Sequence, residues 1–250
     1  MEFPKLYTEF AKYYDKLESQ YRDYGLESKW LTELMKERNA REIVDVSCGT
    51  GNHVSILSKS PEFKFHAMDA SEEMIKIAGS KVGRRVEILR ADFTRSPYVN
   101  NSFDAAICMY WSLAGLNEEL VRRLFSETHS ILKHGGLFVF DVENTDGIKE
   151  DRINVPFIDA FFEDESVAVV RTNFSTKSSP DTVDWRAFYM LETNGVSEVK
   201  TDRMSLRFYS KQQLESMLKE TGFKTLQVLS APYKAYEEHS PSLYFVAQKT

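Results

Sequence analysis

Glu42-Ile-Val-Asp-Val-Ser-Cys-Gly-Thr-Gly-Asn-His53 is the stretch that decides the fold. An apolar, β-branched run ends at an acidic residue, passes through a Gly-Thr-Gly turn and then takes on helical spacing. A strand, a glycine turn and a helix in this order bring a nucleotide-like ligand against backbone N–H groups at the helix N-terminus. Gly49 and Gly51 are expected to let the backbone pass close to such a ligand, because neither carries a Cβ atom.

Two further acidic residues repeat this pattern at regular intervals. Asp69 follows a predicted strand and lies 24 residues after Asp45, and Asp92 follows the next strand, 23 residues after Asp69. An acidic residue after the second strand is placed to accept hydrogen bonds from ribose hydroxyls. A lone Gly-Thr-Gly is usually just a turn, and a lone Asp after a strand is usually a helix cap. Three such features at intervals of one βα unit favour a binding site instead.

Hydrophobic periodicity extends this pattern into an α/β fold. The strands predicted to alternate with helices cover residues 42–46, 64–68, 86–89, 104–109 and 137–142. This alternation implies a parallel sheet with helices on both faces and with ligands bound at the carboxyl ends of the strands. The helix that Asn117 opens is expected to end at Gly135-Gly136, because glycine is common just past a helix C-terminus.

The pattern changes at about Asp146. Antiparallel strands are predicted over residues 168–174, 182–191 and 196–208. Asn194-Gly195 is a two-residue hairpin signal between the last two. A capping box, Ser210-Lys-Gln-Gln213, precedes a further helix, and two closing strands follow. The predicted fold is a doubly wound, mostly parallel seven-stranded sheet of the Rossmann-like type with an antiparallel β insert after strand five.

The bulk composition narrows the possible functions. The chain has 250 residues and a net charge of -6 with acidic and basic residues interspersed, which argues against a broad nucleic-acid interface. No run of about 18 apolar residues is present, so no membrane span is expected. The first residues lack the basic and apolar parts of a signal peptide. With 2 cysteines a disulfide framework is not indicated, and a cytoplasmic location is expected.

The glycine turn also restricts the kind of adenosine ligand. A dinucleotide site requires Gly-x-Gly-x-x-Gly, and Val54 stands where the third glycine would be. The chain has no Gly-Lys-Ser/Thr for a triphosphate. An adenosine ligand without phosphates remains. Asp92 and Phe93 suit its adenine ring, the carboxylate for the exocyclic amine and the aromatic ring for one face, with Met74 covering the other face.

These motifs resemble those of the class I S-adenosylmethionine-dependent methyltransferases. The matching segments are Asp45–Gly51, Asp69–Met74, Ala91–Phe93, Phe103–Met109 and Leu132–Phe140. One departure is Ser47, where the family most often has glycine. Within this class, Cys108–Leu116 is similar to small-molecule N-methyltransferases such as aminosugar dimethylases and glycine methylases. Phe10–Leu17 resembles their N-terminal lid, in which a tyrosine lies near the sulfonium, and Tyr14 is the matching position.

The resemblance implies S-adenosyl-L-methionine as cofactor and a set of residues that bind it. The cofactor-binding residues expected are Asp45, Ser47, Cys48, Gly49, Gly51, His53, Asp69, Ala70, Met74, Asp92, Phe93 and Met109. It also implies four regions of the chain. They are a helical lid with the first helix (1–40), a cofactor-binding α/β core (41–145), the antiparallel insert (146–209) and a closing helix with a hairpin (210–250).

Candidate residues for the methyl acceptor follow strands four and five or lie near the end of the insert. The predicted pocket residues are Tyr110, Trp111, Glu143, Arg207 and Tyr209. Each has a plainer interpretation: core packing for Trp111, a surface ion pair for Arg207 and a solvated loop for Glu143. Tyr14 is the candidate for a direct catalytic role, with lid packing as its alternative. The histidines show no metal-ligand spacing, so no metal is expected.

The favoured function is methyl transfer to a small molecule, with nitrogen as the candidate for the attacked atom and the insert as substrate cover or homodimer contact. RNA or protein methylation on the same fold is an alternative, and fold alone does not exclude it. A cofactor-binding scaffold without turnover is another. A nicotinamide dehydrogenase is the least supported alternative, because the third glycine of the dinucleotide motif is missing.

Overall fold

Two β-sheets organise the protein, which is known from a computed structural model that describes residues 4–145, 148 and 150–250. The helices are α1 (Tyr14–Glu18), α2 (Tyr24–Glu37), α3 (Asn52–Leu57), α4 (Glu72–Val82), α5 (Glu118–Ile131) and α6 (Lys211–Glu220). The first strands are β1 (Glu42–Asp45), β2 (Lys64–Asp69), β3 (Glu87–Arg90), β4 (Phe103–Cys108), β5 (Leu132–Glu143) and β6 (Phe157–Glu163). The others are β7 (Ala168–Ser179), β8 (Thr182–Thr193), β9 (Val196–Arg207), β10 (Phe223–Ala231), β11 (Lys234–Ala235) and β12 (Ser242–Lys249).

The larger sheet has the strand order β11-β10-β12-β5-β4-β1-β2-β3. Strands β1 to β5 pair in parallel, β12 pairs antiparallel with β5, and β10 pairs antiparallel with β12. The predicted doubly wound, mostly parallel sheet is confirmed, and β11 adds a two-residue edge strand to the seven that were expected. From β1 the strands follow one another in chain order towards one edge of the sheet, as β1-β2-β3, and from β4 they follow towards the other edge. A ligand crevice is expected at the carboxyl ends of β1 and β4, where these two directions separate.

Neighbouring residues of the central strands point to opposite faces of this sheet, as the two-residue period of a strand requires. Val44 and Ala106 pack in the cluster that contains α5 and α6 side chains. Ile43 and Ala105 pack on the other face, with side chains of α2, α3 and α4. The sheet is therefore covered on both faces, and its strand ends are left for the site.

The expected end of α5 at Gly135-Gly136 is wrong. The helix ends at Ile131, and Leu132 already has extended backbone angles, φ -74 and ψ 142. Leu132 pairs with Phe103, whereas Leu137 pairs with Ala105, so the residues between form a bulge in β5. The glycines belong to this bulge: Gly135 has φ +79, and a Cβ on Gly136 would lie 2.8 Å from a backbone oxygen.

The second sheet is the insert, with the antiparallel order β6-β7-β8-β9. Strand β6 was not among the predicted strands. The predicted turn between β8 and β9 is confirmed, since Asn194 and Gly195 have φ 52 and 75. The predicted start of the insert at Asp146 lies outside the described residues.

One face of the insert packs against residues 4–23, which we call the N-terminal segment and which contain α1 and three short 3-10 turns. Leu6, Phe10 and Leu17 share an apolar cluster with Val169 and Tyr189 of the insert. The Phe10 and Tyr189 rings are stacked with their centroids 4.1 Å apart. None of the described helices is long and apolar enough to cross a membrane.

Candidate active site

The two glycines of the turn after β1 serve different purposes. Both have left-handed backbones, with φ +53 at Gly49 and +77 at Gly51. A Cβ on Gly51 would lie 2.9 Å from the Cβ of Ala78, so close packing against α4 requires glycine there. Among the described residues beyond its chain neighbours, no atom lies within 4 Å of a Cβ placed on Gly49. A ligand can therefore approach the backbone at Gly49.

Asp69, at the end of β2, holds the glycine turn against the start of α4. Its two carboxylate oxygens accept hydrogen bonds from the backbone N–H groups of Gly49 and Ser71, each at 2.9 Å. Burial raises the pKa of Asp69, and these N–H groups oppose the shift. Each carboxylate oxygen has further lone pairs, so the side chain can also accept hydrogen bonds from the hydroxyls of a ligand.

Asp45, at the end of β1, is buried and has a strongly perturbed carboxyl group. Burial raises its pKa to about 7, with the neighbouring charge of Asp69 acting in the same direction and His53 acting against it. The backbone N–H of Ser47 donates to the carboxylate at 3.1 Å. This carboxyl group therefore changes its charge close to neutral pH.

The third acidic position, Asp92, is exposed. One of its oxygens accepts hydrogen bonds from the Thr94 N–H and hydroxyl, both at 2.8 Å. Phe93 beside it is half-buried and packs against the core. Met74, in the first turn of α4, and Met109, after β4, are both buried.

A buried chain of charged side chains runs beneath the turn. His53 Nε2 lies 2.7 Å from Glu27, and Glu27 also pairs with Arg22 at 3.2 Å. Arg22 in turn pairs with Asp141 of β5 at 2.6 Å. Burial would raise the pKa of Glu27, but the His53 hydrogen bond and the Arg22 charge lower it overall. This chain ties α2 and α3 to the centre of the sheet.

The loop after β4 is held in an unusual conformation by Asp141. Tyr110 and Trp111 both have positive φ, 66 and 56, a conformation that costs about 1–3 kcal/mol for each non-glycine residue. Their backbone N–H groups donate to the Asp141 carboxylate at 2.5 and 3.5 Å. The Arg22 guanidinium lies 4.7 Å from the Tyr110 ring centroid and 5.4 Å from that of Trp111.

Tyrosine rings crowd the space above this loop. The Tyr14 ring lies 6.1 Å from that of Tyr7 and 6.3 Å from that of Tyr110, and Tyr24 lies 6.1 Å from Tyr110. Burial, reinforced by the neighbouring Tyr7 and Glu18, raises the pKa of Tyr14 well above its ordinary value. Its hydroxyl is therefore protonated at neutral pH, when it can donate a hydrogen bond and is a poor general base.

The N-terminal segment is hydrogen-bonded to the glycine turn after β1 and to the first residues of α4. Asp15 accepts hydrogen bonds from Thr50 at 2.6 Å and Asn52 at 3.0 Å, and pairs with Lys81 at 2.6 Å. The Ser71 hydroxyl donates to the backbone oxygen of Tyr7 at 2.5 Å. The segment thus covers the glycine turn and the start of α4.

The small side chains below the turn are packed and unreactive. Cys48 and Cys108 are both buried and unpaired, and burial raises the pKa of Cys108 to about 12. Ser47, which stands where the resembling family most often has glycine, contacts Ser112 at 3.0 Å and Cys108 at 3.2 Å. Ser47 therefore joins the ends of β1 and β4.

The predicted acceptor residues separate in space. Tyr110 and Trp111 lie beside Asp141 and the tyrosine rings. Arg207 instead pairs with Glu118 at 2.9 Å and Asp181 at 3.2 Å, and the buried Tyr209 donates to the Leu116 backbone oxygen at 2.7 Å. These contacts favour a structural role for Arg207 and Tyr209 at the start of α5. Glu143 ends β5 opposite Ser242.

Sequence reasoning missed the buried charges that support the loop. Asp141 had a visible signal, since it interrupts the apolar run Leu137-Phe-Val-Phe-Asp-Val142. Arg22 and Glu27 had none, because Asp141 and His53, the residues to which they connect the start of the chain, lie far from them in sequence.

The fold defines the class of this protein, a Rossmann-like α/β protein with a mostly parallel sheet. A methyltransferase domain profile matches residues 43–136. A protein of Geobacillus sp. (strain WCH70) that is assigned to the methyltransferases is 31% identical over 255 residues, covering 97% of this chain and 99% of its own. The glycine/sarcosine N-methyltransferase of Aphanothece halophytica is 27% identical over 247 residues, covering 96% and 88%.

Solved structures agree with the fold. A S-adenosylmethionine-dependent methyltransferase from Clostridium acetobutylicum superimposes with a TM-score of 0.83 at 24% identity, covering 97% of this chain and 98% of its own. The sugar N-methyltransferase KedS8 from Streptoalloteichus sp. gives 0.79 at 21% identity, covering 100% and 94%. The chain belongs to the class I S-adenosylmethionine-dependent methyltransferases, and S-adenosylmethionine is its cofactor.

Proposed function

We propose that this methyltransferase acts on a nitrogen atom of a small molecule. The observation that carries the proposal is the cover over the site. The N-terminal segment connects the loop after β4 to the insert. Glu18 accepts a hydrogen bond from the Tyr110 hydroxyl at 2.7 Å and pairs with Arg171 of β7. A site that is covered in this way and lined by aromatic side chains suits a small acceptor better than a polynucleotide or a folded protein.

The relatives support nitrogen as the attacked atom. One relative is a glycine/sarcosine N-methyltransferase and one solved structure is a sugar N-methyltransferase, and both match nearly the whole chain. The charge of -6 remains unfavourable for a nucleic-acid substrate.

We propose that the cofactor lies across the carboxyl ends of β1, β2 and β3. Gly49 leaves open space at the backbone, and Asp69 offers acceptor oxygens to ribose hydroxyls. Asp92 and Phe93 would contact the adenine edge and face, with Ala70, Met74 and Met109 as walls. Asp45, Ser47, Cys48, Gly51 and His53 shape the turn. The cofactor supplies, when bound, a methyl group activated by a sulfonium centre.

The residues around the acceptor would align it and exclude water, which is the protein's main contribution to an in-line displacement. An amine that arrives neutral needs no base to attack. Tyr14 is protonated at neutral pH, so its proposed role is to donate a hydrogen bond or contact the reacting centre. Tyr110 and Trp111 would form the wall beside the acceptor, held by Asp141.

We also propose a homodimer formed through the outer face of the insert. Phe161, Val170, Met190 and Val199 occupy one cross-strand row over all four strands. Phe161, Met190 and Val199 are 57%, 44% and 64% exposed. An exposed apolar row of this kind is typical of an interaction surface, and two copies of one row are self-complementary about a two-fold axis.

The test is a competition among acceptor classes. The protein is incubated with S-adenosylmethionine and, separately, with small amines including glycine, sarcosine and glucosamine, with bulk tRNA, and with unfolded protein. We expect S-adenosylhomocysteine and a product heavier by one methyl group only in the amine arm. Methylated RNA or protein would refute the proposal, and cofactor binding without turnover in any arm would favour a scaffold.

A further inference from the structure

The inner face of the insert carries a polar group that the fold does not account for. Arg171 and Asn173 of β7 are 3% and 6% exposed. Arg171 donates to both oxygens of Asp159, at 2.9 and 2.8 Å, and pairs with Glu18 of the N-terminal segment. The Arg171 guanidinium is therefore already paired with two carboxylates.

Only one of the two polar atoms of the Asn173 side chain has a hydrogen-bond partner among the described residues. Its Nδ2 donates to Asp159 at 2.6 Å, which fixes the orientation of the amide. Its Oδ1 is buried and has no hydrogen-bond partner among the described residues. A buried acceptor left unpaired costs about 1–3 kcal/mol, and the bond to Asp159 prevents the amide from turning towards another partner.

Trp111 presents the complementary group on the core side. Its indole Nε1 is also buried without a hydrogen-bond partner among the described residues. A series of contacts leads from Tyr110, the chain neighbour of Trp111, to Asn173. The Tyr110 hydroxyl bonds Glu18, Glu18 pairs with Arg171, and Arg171 shares Asp159 with Asn173. The unpaired acceptor thus belongs to a network between insert and core, and the unpaired donor lies on Trp111, the chain neighbour of the Tyr110 at the other end of that network.

We propose that Asn173 determines specificity for the methyl acceptor by accepting a hydrogen bond from one of its hydroxyl or N–H groups. Trp111 Nε1 donates to an oxygen of the same molecule. The inference rests on the proposed function. A hydroxylated amine satisfies both groups, because each hydroxyl can donate and accept.

The surrounding charges disfavour an acceptor that carries a carboxylate. Arg22 pairs with Glu27 and Asp141, and Arg171 pairs with Glu18 and Asp159. Both arginines are therefore already shared between two carboxylates each. The carboxylate of such an acceptor would be repelled by these four carboxylates. Neither arginine would be free to pair with it.

The test compares glucosamine, cyclohexylamine and glycine as acceptors for wild type, Asn173→Leu and Asn173→Ser. We expect wild type to prefer glucosamine. We expect Asn173→Leu to lower kcat/KM for glucosamine about 10- to 100-fold, mainly through KM, and to leave cyclohexylamine unchanged. Asn173→Ser, which restores an acceptor, should recover part of the loss. Thr172→Val, on the opposite face of β7, is the matched control.

Calorimetry adds a readout that is independent of turnover. Glucosamine should bind the wild-type complex with S-adenosylhomocysteine and lose affinity in Asn173→Leu, while S-adenosylhomocysteine binds both proteins equally. Equal losses for glucosamine and cyclohexylamine would indicate a structural role and overturn the inference. Unchanged kinetics, or a wild-type preference for cyclohexylamine or glycine, would also overturn it. Failure of wild type to methylate any amine would instead refute the proposed function itself.

Discussion

The carboxylate of Asp141 accepts a hydrogen bond from the backbone N–H of Tyr110 at 2.5 Å, across two adjacent strands of the sheet. The same carboxylate pairs with Arg22, whose guanidinium lies over the Tyr110 and Trp111 rings. One buried acid therefore sets both the backbone and the aromatic side chains of the loop after β4. This loop is where the proposed acceptor site begins.

Asp141→Asn should destabilise the protein and weaken catalysis. The substitution keeps the shape of the side chain but leaves Arg22 buried with one charged partner fewer, and breaking a buried pair costs about 3–5 kcal/mol. We expect a lower free energy of unfolding in urea and a lower kcat, with the affinity for S-adenosylhomocysteine retained. Glu62→Gln, in an exposed pair with Lys36, is the control. A variant as stable and as active as wild type would contradict the assigned role.

Asp69→Ala should strongly weaken cofactor binding. Its carboxylate is the proposed acceptor for ribose hydroxyls and also holds Gly49, and each hydrogen bond to a charged group is worth about 1.5–3 kcal/mol. We expect the affinity for S-adenosylmethionine, measured by calorimetry, to fall by about 100-fold or more, with NAD binding neither protein. Asp23→Ala, which alters only the N-cap of α2, should bind normally. If Asp69→Ala kept its affinity for S-adenosylmethionine, Asp69 would not be the residue that binds the ribose.

Asp45 should make stability depend on pH between about 4 and 7. Burial raises its pKa to about 7 in the folded protein, whereas the unfolded value is about 4. The folded state therefore binds the proton more tightly, and its free energy of unfolding falls as pH rises through this range. Urea unfolding at pH 5.5 and 8 should show that Asp45→Asn, which keeps His53 in place, gains stability relative to wild type at pH 8. An equal difference at both pH values would contradict the raised pKa.

The sequence revealed the central sheet because local patterns encode it. Asp45, the glycine turn and the strands that follow are each recognisable within one βα unit, and the Asn194-Gly195 turn carries its own backbone preference. The end of α5 was mispredicted because Gly135 and Gly136 serve a bulge as well as they serve a helix end. The Arg22–Asp141 pair joins residues 119 positions apart, and no local period reports such a contact.

Asp15→Ala should loosen the cover over the site. Asp15 accepts hydrogen bonds from Thr50 and Asn52 and pairs with Lys81, so its loss removes contacts between the N-terminal segment and the glycine turn. We expect faster release of S-adenosylhomocysteine in stopped flow and a weaker Kd, with little change in the free energy of unfolding. Lys12→Ala, on the same segment, should release the product at the wild-type rate. Unchanged release in Asp15→Ala would show that the segment does not limit exchange.

Met190→Lys should convert the proposed dimer into a monomer. Met190 lies at the centre of the apolar row on the outer face of the insert, whereas its neighbours Tyr189 and Leu191 are buried on the inner face. A charge at this position would be desolvated in a dimer and hydrated in a monomer, so only association should suffer. Light scattering after size exclusion should give twice 28.9 kDa for wild type and 28.9 kDa for the variant. Gln212→Lys on α6 adds the same charge away from the row and should remain dimeric. A wild-type protein of 28.9 kDa would refute the dimer, and a dimeric Met190→Lys would place the interface on another surface.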